Sequence, residues 1–456
     1  MRVHFIAIGG SAMHNLAIAL HKKGFDVSGS DDEIFEPSRS RLDAHGLLPE
    51  PMGWDASRIS SDLDAIILGM HARKDNPEML RAQELGLHIF SYPEYLYEQS
   101  RDKTRVVIGG SHGKTSITAM ILHVLRFLEK DFDYMVGAQL EGFDTMVQLT
   151  AEAPVIILEG DEYLSSPIDL RPKFHHYYPH IALISGIAWD HINVFPTYEN
   201  YVEQFDLFVE RIVDGGALVY CEADPEVKKV AEASDRALDF EPYQTPEHSI
   251  ENGVTSLHTA QGGIPLQIFG VHNLQNLEGA RLVLEKIGVE TADFYRAIQS
   301  FSGAAKRLEK VAENSESVVY KDFAHSPSKL KATTAAVQTQ FPDRELVACM
   351  ELHTFSSLNS DFLKEYKGSM NTADRAIVYY NEHTIAHKKL APISPEQVKE
   401  AFGNPHLEVY TDADQLFEML RKIKWSSRNL LLMSSGNFDG VDINAFGEAL
   451  LAGANE

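Results

Sequence analysis

Apolar runs of three to seven residues recur along the chain, and between them apolar positions repeat at helical spacing. The runs include Val3-His4-Phe5-Ile6-Ala7-Ile8, Asp64-Ala65-Ile66-Ile67-Leu68-Gly69-Met70, Val155-Ile156-Ile157-Leu158, Ile181-Ala182-Leu183-Ile184 and Ala217-Leu218-Val219-Tyr220. Later ones are Val318-Val319-Tyr320, Leu346-Val347-Ala348-Cys349-Met350, Ala376-Ile377-Val378-Tyr379 and Leu430-Leu431-Leu432-Met433. A strand that is apolar at nearly every position is buried on both faces, as in a parallel sheet with helices on either side. The pattern predicts an α/β protein of three units, 1–100, 101–303 and 304–456. Residues 98–103 are polar and read as a linker. Residues 245–270 are turn-rich and β-prone, and predict hairpins at the edge of the central sheet.

The chemistry concentrates where runs end. Arg105-Val106-Val107-Ile108 feeds Gly109-Gly110-Ser111-His112-Gly113-Lys114-Thr115-Ser116, and Ile117, Met120, Ile121, Val124, Leu125 and Leu128 then repeat as a helix. Ile108 stands where a full-length phosphate loop has glycine, so the motif is the shorter Gly110-x-x-Gly113-Lys114-Thr115. N–H groups at such a helix start cradle phosphates, Lys114 reaches the β/γ-phosphates and Thr115 holds Mg²⁺. The expectation is ATP binding; the alternative is an ordinary glycine-rich turn. In the first unit, Gly9-Gly10-Ser11-Ala12-Met13 opens a helix, and the strand 25–30 runs through Ser30 to Asp31, the Rossmann arrangement of a nucleotide phosphate and a ribose-binding acid. Ala7 and Ala12 occupy positions where glycine is expected, so a plain tight turn is the alternative.

Two acidic clusters follow buried runs: Glu159-Gly160-Asp161-Glu162 and Asp190-His191. With Thr115 they could surround Mg²⁺, which prefers oxygen ligands. His272, Asn273 and Asn276 open another helix; Asn273 reads either as its cap or, with its neighbours, as an adenine contact. Lys306-Arg307 stands at a domain junction and Asp322-Phe323-Ala324-His325 at a strand end; the two cations suit a clamp on a transferring phosphoryl group, with a solvated pair as the alternative.

The formal net charge of −25 argues against general nucleic-acid binding, which rests on neutralising phosphates. Cys221 and Cys349 are the only cysteines, which makes no disulfide framework. No apolar run nears the roughly 20 residues that cross a bilayer. These features predict a cytoplasmic protein with no membrane or nucleic-acid partner; a monomer or homodimer is expected, without a sequence feature that decides between them.

As an ordered set, Gly110-Ser-His-Gly-Lys-Thr115, Glu159-Gly-Asp-Glu162, Asp190-His191, His272-Asn273-Leu-Gln-Asn276, Arg307 and Asp322-Phe-Ala-His325 resemble the motifs of the Mur ligases, the ATP-dependent amide-forming enzymes of peptidoglycan synthesis. The resemblance covers nearly the whole chain. It implies a Rossmann-like domain for the UDP-sugar, a central phosphate-loop ATPase-type domain and a C-terminal Rossmann-like domain. It implies ATP held by Gly110, Ser111, His112, Gly113, Lys114, Thr115, Ser116, His272, Asn273, Asn276, Arg307 and Asp322, with Mg²⁺ on Thr115, Glu159 and His191. The UDP part falls to Gly9, Gly10, Ser11, Ala12, Met13, Ser30 and Asp31. Lys114, His191, Arg307 and His325 carry the catalytic roles.

Within the family, the first domain resembles the branch that acts on UDP-N-acetylmuramate. Asp161-Glu162-Tyr163, Arg171-Pro172-Lys173-Phe174-His175-His176-Tyr177, Asp322-Phe323-Ala324-His325 and Met433-Ser434-Ser435-Gly436-Asn437-Phe438 are similar to members that attach the recycled tripeptide L-alanyl-γ-D-glutamyl-meso-diaminopimelate; attachment of L-alanine is the alternative. Two positions depart from that pattern: His353 stands where the relatives usually carry Arg, and Ser326 where a second His is usual. No lysine lies between His191 and Lys228, which matches the muramate-directed branch, whereas other branches place a carbamylated lysine there. A reading from another class, a nicotinamide oxidoreductase on residues 1–100, explains Gly9, Gly10 and Asp31 but leaves Lys114, Thr115 and His191 idle.

Overall fold

The computed structural model describes residues 1–189, 192–304 and 307–452. Its strands gather into four sheets. The first holds β1 (Arg2–Ile6), β2 (Asp26–Ser30), β3 (Ala65–Leu68) and β4 (Ile89–Ser91), all parallel, in the order β2-β1-β3-β4. The central sheet holds β5 (Thr104–Gly109), β6 (Asp133–Met135), β7 (Val147–Gln148), β8 (Val155–Glu159), β9 (Ile181–Ile184), β10 (Ala217–Cys221) and β11 (Asp239–Tyr243). Its order is β11-β10-β9-β5-β8-β6-β7, and only the β6–β7 edge pair is antiparallel. A small antiparallel sheet joins β12 (His248–Glu251), β13 (Val254–Thr259) and β14 (Gly262–Leu266). The last sheet holds β15 (Glu309–Glu313), β16 (Val318–Asp322), β17 (Glu345–Leu352), β18 (Arg375–Tyr380), β19 (Glu408–Tyr410) and β20 (Arg428–Met433), ordered β15-β16-β20-β17-β18-β19.

Burial on both faces explains the unbroken apolar runs. In the last sheet Val318, Tyr320, Leu346, Ala348, Met350, Val378 and Leu431 pack into one core, while Val319, Val347, Cys349, Ile377, Leu430 and Leu432 pack into a second. Neighbours along a strand point to opposite faces, so two cores require apolar residues at every position.

Contacts divide the chain into two compact units. One comprises Met1–Ile187, Tyr198–Gln244 and Gly279–Ala297; the other comprises Ala188–Thr197, Thr245–Glu278 and Ile298–Glu456. The α/β class with parallel sheets is as the sequence predicts, with two differences. The hairpins of 245–270 do not sit at the edge of the central sheet, whose edges are β7 and β11; they form their own sheet in the second unit. Polar anchoring explains this placement. Buried Thr255 donates to Gln340 Oε1 at 2.9 Å, and Gln340 Nε2 donates to Gly253 O at 2.6 Å.

The stretch 98–103 is also not a free linker. Glu98 and Gln99 complete the helix Tyr92–Gln99, and Lys103 is buried. Its ammonium lies 3.0 Å from the fully buried Asp133 and donates to Thr150 O and Ala153 O. Removing one partner of a buried pair strands the other charge. Lys103→Met is therefore expected to cost about 3–5 kcal/mol in urea unfolding. A cost below about 1 kcal/mol would show that the pair contributes little beyond a surface contact.

Candidate active site

Strand register builds the central site. Ile108 of β5 pairs with Glu159 of β8, and Gly109 pairs with Ile184 of β9. Three parallel strands thus end at one level, and their following loops share one edge, where open α/β sheets bind ligands. Gly110 has φ +130° and Gly113, which caps the helix Lys114–Phe127, has φ +79°. Both lie where L-residues are strained. A Cβ on Gly110 would also meet Ser185 Oγ at 2.2 Å. The turn is tied down by Ser111 N to Gly186 O at 2.9 Å, Ser185 N to Gly109 O at 3.1 Å and Ser185 Oγ to His112 O. Ser185 and Gly186 were not singled out by sequence; their signal is only that they follow a buried strand.

Lys114 Nζ donates to Gly110 O at 2.6 Å and to the Glu162 carboxylate. Burial opposes its charge, but Glu162, Asp161 and Glu159 outweigh that and raise its pKa. Thr115 Oγ1 donates to Glu159 Oε1 at 2.8 Å, and Gly137 N donates to Glu159 Oε2 at 2.8 Å. Thr115, Ser116 and Glu159 are buried. A hydroxyl and a carboxylate, both oxygen donors at the start of a phosphate-loop helix, are a donor set that suits Mg²⁺. Asp190 and His191 lie outside the described residues.

Asp161 pairs with Lys173 at 2.5 Å, a cation that the sequence reading left without a role. Among the described residues, the ligand atoms of Glu94, Asp169 and His176 also converge. That position already holds a cation, because the Arg171 guanidinium lies 2.6 Å from Asp169 Oδ2 and 3.6 Å from Glu94 Oε1.

In the first sheet, Ala7 N and Ile8 N both donate to Ser30 O at 3.0 Å, and Gly9 N donates to Asp31 Oδ2 at 2.7 Å. Ala7, where glycine was expected, takes the glycine-like φ of +68° all the same. Gly9, Gly10 and Ala12 are half-buried, Ser11 is exposed, and Met13, Ser30 and Asp31 are buried. Burial pushes Asp31 up to about 6, against the stabilising Gly9 N–H. Beneath the turn, the fully buried Glu78 accepts from Ser30 Oγ, from Asp55 N at 2.8 Å and from His4 Nε2 at 3.3 Å. The sequence analysis did not single out Glu78, which the structure places in the first turn of the helix Pro77–Glu84.

The remaining predicted residues lie in the second unit. The helix Val271–Lys286 starts two residues before Asn273, so Asn273 is not its cap; its Nδ2 donates to Phe269 O at 2.9 Å. Asn273 and Asn276 are buried and His272 is half-buried. Lys306 lies outside the described residues. The Arg307 guanidinium stands 4.7 Å over the Phe323 ring. Asp322 Oδ2 accepts from Leu308 N at 2.6 Å; burial pushes the carboxyl up to about 6, opposed by Arg307. His325 Nδ1 donates to Phe323 O at 2.9 Å. His353 Nδ1 lies 3.5 Å from the buried Glu351 carboxylate, which also accepts from Ser434 Oγ and from Phe438 N at 2.9 Å. Ser326, the other departure from the family pattern, is buried before the helix Pro327–Gln340.

A carboxyl that titrates near 6 when folded, against an ordinary 3.8, binds more protons folded than unfolded between those values. Its contribution to stability is therefore present at lower pH and is lost as pH rises through about 6. Asp31→Asn should remove that loss and gain melting temperature over the parent at pH 7.5 but not at pH 4. An unchanged difference between the two pH values would contradict the assignment.

Three family models match the chain in order. They are the Mur ligase family catalytic domain over residues 2–104, the Mur ligase middle domain over 108–284 and the Mur ligase glutamate ligase domain over 306–436. A UDP-N-acetylmuramate–L-alanine ligase from Arthrobacter sp. (strain FB24) is 30% identical over 387 residues, covering 83% of this chain and 80% of that one. The Escherichia coli (strain K12) UDP-N-acetylmuramate–L-alanyl-gamma-D-glutamyl-meso-2,6-diaminoheptandioate ligase is 26% identical over 451 residues, covering 97% and 96%. The fold matches a murein peptide ligase from Psychrobacter arcticus 273-4 with a TM-score of 0.63 at 21% identity, over 100% of this chain and 99% of that one. It matches a UDP-N-acetylmuramate–alanine ligase from Thermotoga maritima with a TM-score of 0.69 at 19% identity, over 100% and 99%. These relatives are all ligases, which leaves the nicotinamide oxidoreductase reading without support. With its phosphate loop and its three domain matches in order, the chain belongs to the Mur ligase family of ATP-dependent, amide-forming ligases.

Proposed function

We propose that the chain joins the lactyl carboxylate of UDP-N-acetylmuramate to the amine of L-alanyl-γ-D-glutamyl-meso-diaminopimelate. The observation that carries the reaction class is Lys114, charged and half-buried at a phosphate-loop helix start beside the Thr115–Glu159 oxygen pair. What favours the tripeptide is the run Asp161-Glu162-Tyr163 with Arg171-Pro172-Lys173-Phe174-His175-His176-Tyr177, together with the near full-length likeness to the Escherichia coli ligase whose name states that peptide. Attachment of L-alanine is the second reading, supported by the Arthrobacter relative.

A carboxylate does not acylate an amine at neutral pH, because its oxygen leaves too poorly. In the proposed route the carboxylate oxygen attacks the γ-phosphorus of ATP, the bond to the β-phosphate oxygen breaks, and ADP leaves. The amine attacks the resulting acyl phosphate and loses a proton, and inorganic phosphate departs from the tetrahedral intermediate. The first transfer needs charge neutralisation and alignment more than covalent help. Lys114 and the loop from Gly110 to Ser116 hold the β/γ-phosphates, and Arg307 adds a second cation. Thr115 and Glu159 would hold one Mg²⁺ and His191 would help hold a second, and the ions would supply Lewis-acid neutralisation of phosphate charge. His272, Asn273 and Asn276 serve the adenine, Asp322 the nucleotide, and His325 the nucleotide or the amine. Gly9, Gly10, Ser11, Ala12, Met13, Ser30 and Asp31 serve the UDP part.

The test is incubation with UDP-N-acetylmuramate, ATP and Mg²⁺ and either the tripeptide or L-alanine. ADP and amide product are expected with the tripeptide. Product with L-alanine alone favours the second reading, and ADP without amide in either case contradicts both. Lys114→Ala should lower turnover by at least about 10³-fold while the fold is retained; full turnover would refute the role of Lys114.

A further inference from the structure

Glu162 lies one turn of loop beyond Glu159, yet it faces a cation rather than the Thr115–Glu159 pair. One of its oxygens accepts from Lys114 Nζ, and the other accepts from the Tyr201 hydroxyl at 3.1 Å. Tyr201 belongs to the helix Tyr198–Glu210 and is fully buried, and its ring packs edge-on against Phe205 with centroids 5.3 Å apart. Glu162 itself is 1% exposed. The carboxylate is thus gripped from the side away from the lysine by a hydroxyl on a packed ring. A lysine ammonium has three N–H donors on a flexible stem. Here one goes to Gly110 O and one to Glu162, so the two acceptors set the direction in which the third points.

We propose that Glu162, oriented by Tyr201, is the positioning residue for Lys114 and holds its ammonium aimed at the nucleotide phosphates before they bind. This rests on the reading that Lys114 takes the β/γ-phosphates. A lysine left to its own rotamers must be ordered by the substrate, and that ordering is subtracted from the binding free energy. A lysine already held by two buried acceptors has lost that freedom on folding. Loss of about an ångström of alignment can cost about 10²-fold in rate. The Tyr201 hydroxyl reaches Lys114 through the Glu162 carboxylate, which bonds both.

The test uses four variants of the full chain: Lys114→Ala, Glu162→Gln, Tyr201→Phe and the double variant Glu162→Gln/Tyr201→Phe. Tyr201→Phe keeps the packed ring and removes one hydroxyl. Affinity for a fluorescent ADP analogue is measured in EDTA, so that a disturbed metal site does not enter, and kcat and KM for ATP are measured with Mg²⁺. The expected result is an affinity loss of about tenfold for Tyr201→Phe, with a melting temperature within about 3 °C of the parent. The double variant should be no weaker than Glu162→Gln, because the hydroxyl works through the carboxylate. Multiplying losses in the double variant would overturn the proposal, as would Tyr201→Phe and Glu162→Gln that bind like the parent while Lys114→Ala does not. If Lys114→Ala binds the analogue as tightly as the parent, the phosphate-loop reading itself fails, a result the other variants cannot produce.

Discussion

The level at which β5, β8 and β9 stop is the constraint on which the central site depends. Ile108 opposite Glu159 and Gly109 opposite Ile184 bring the phosphate loop, the acidic loop and the Ser185-Gly186 loop to one sheet edge. A slip of one residue in a strand would turn its side chains to the other face. Strands apolar on both faces do not penalise such a slip by hydrophobicity, so the level is fixed where the loops begin, by Gly160 N to Ile108 O, Ser185 N to Gly109 O and Ser111 N to Gly186 O. Once the level is set, two glycines with positive φ shape the turn, and Lys114 and Thr115 follow at the start of the helix.

On this scaffold an acidic protein manages a local balance of charge. Glu162 lies against Lys114, Asp161 against Lys173, and Glu159 accepts from Thr115 and Gly137. Each carboxylate of the cluster thus has a different partner, although the three stand within four residues of sequence. The same economy appears beneath the first glycine turn, where Glu78 is buried with His4, Ser30 and the Asp55 N–H around it; those contacts outweigh burial and lower its pKa.

The strands buried on both faces were legible because their apolar runs have no other explanation, and the phosphate loop was legible because it joins such a run to a helix. Edge elements were not. β15 reads Glu-Lys-Val-Ala-Glu, and β7 and β19 are two and three residues long, so neither hydrophobicity nor length marks them. The small sheet β12–β14 was visible as hairpins, but its place is fixed by Thr255 and Gln340, a pair 85 residues apart. The motif residues of the candidate site, Lys114, Thr115, Glu159 and Asp31, could be named from the sequence because each follows an apolar run. The supports of the site could not, because Tyr201, Lys173, Ser185 and His4 act through contacts that no local pattern announces. Of the two readings open for Asn273, the cap fails because the helix begins earlier, at Val271, directly after Gly270 with its positive φ.

In the proposed reaction a carboxyl oxygen of the sugar acid becomes bonded to the γ-phosphorus of ATP. The most direct measurement follows that oxygen. UDP-N-acetylmuramate labelled with ¹⁸O in its lactyl carboxylate is turned over with ATP, Mg²⁺ and the accepted amine, and the released inorganic phosphate is analysed by mass spectrometry. One labelled oxygen in each phosphate is the predicted result; unlabelled phosphate released together with amide product would contradict the mechanism.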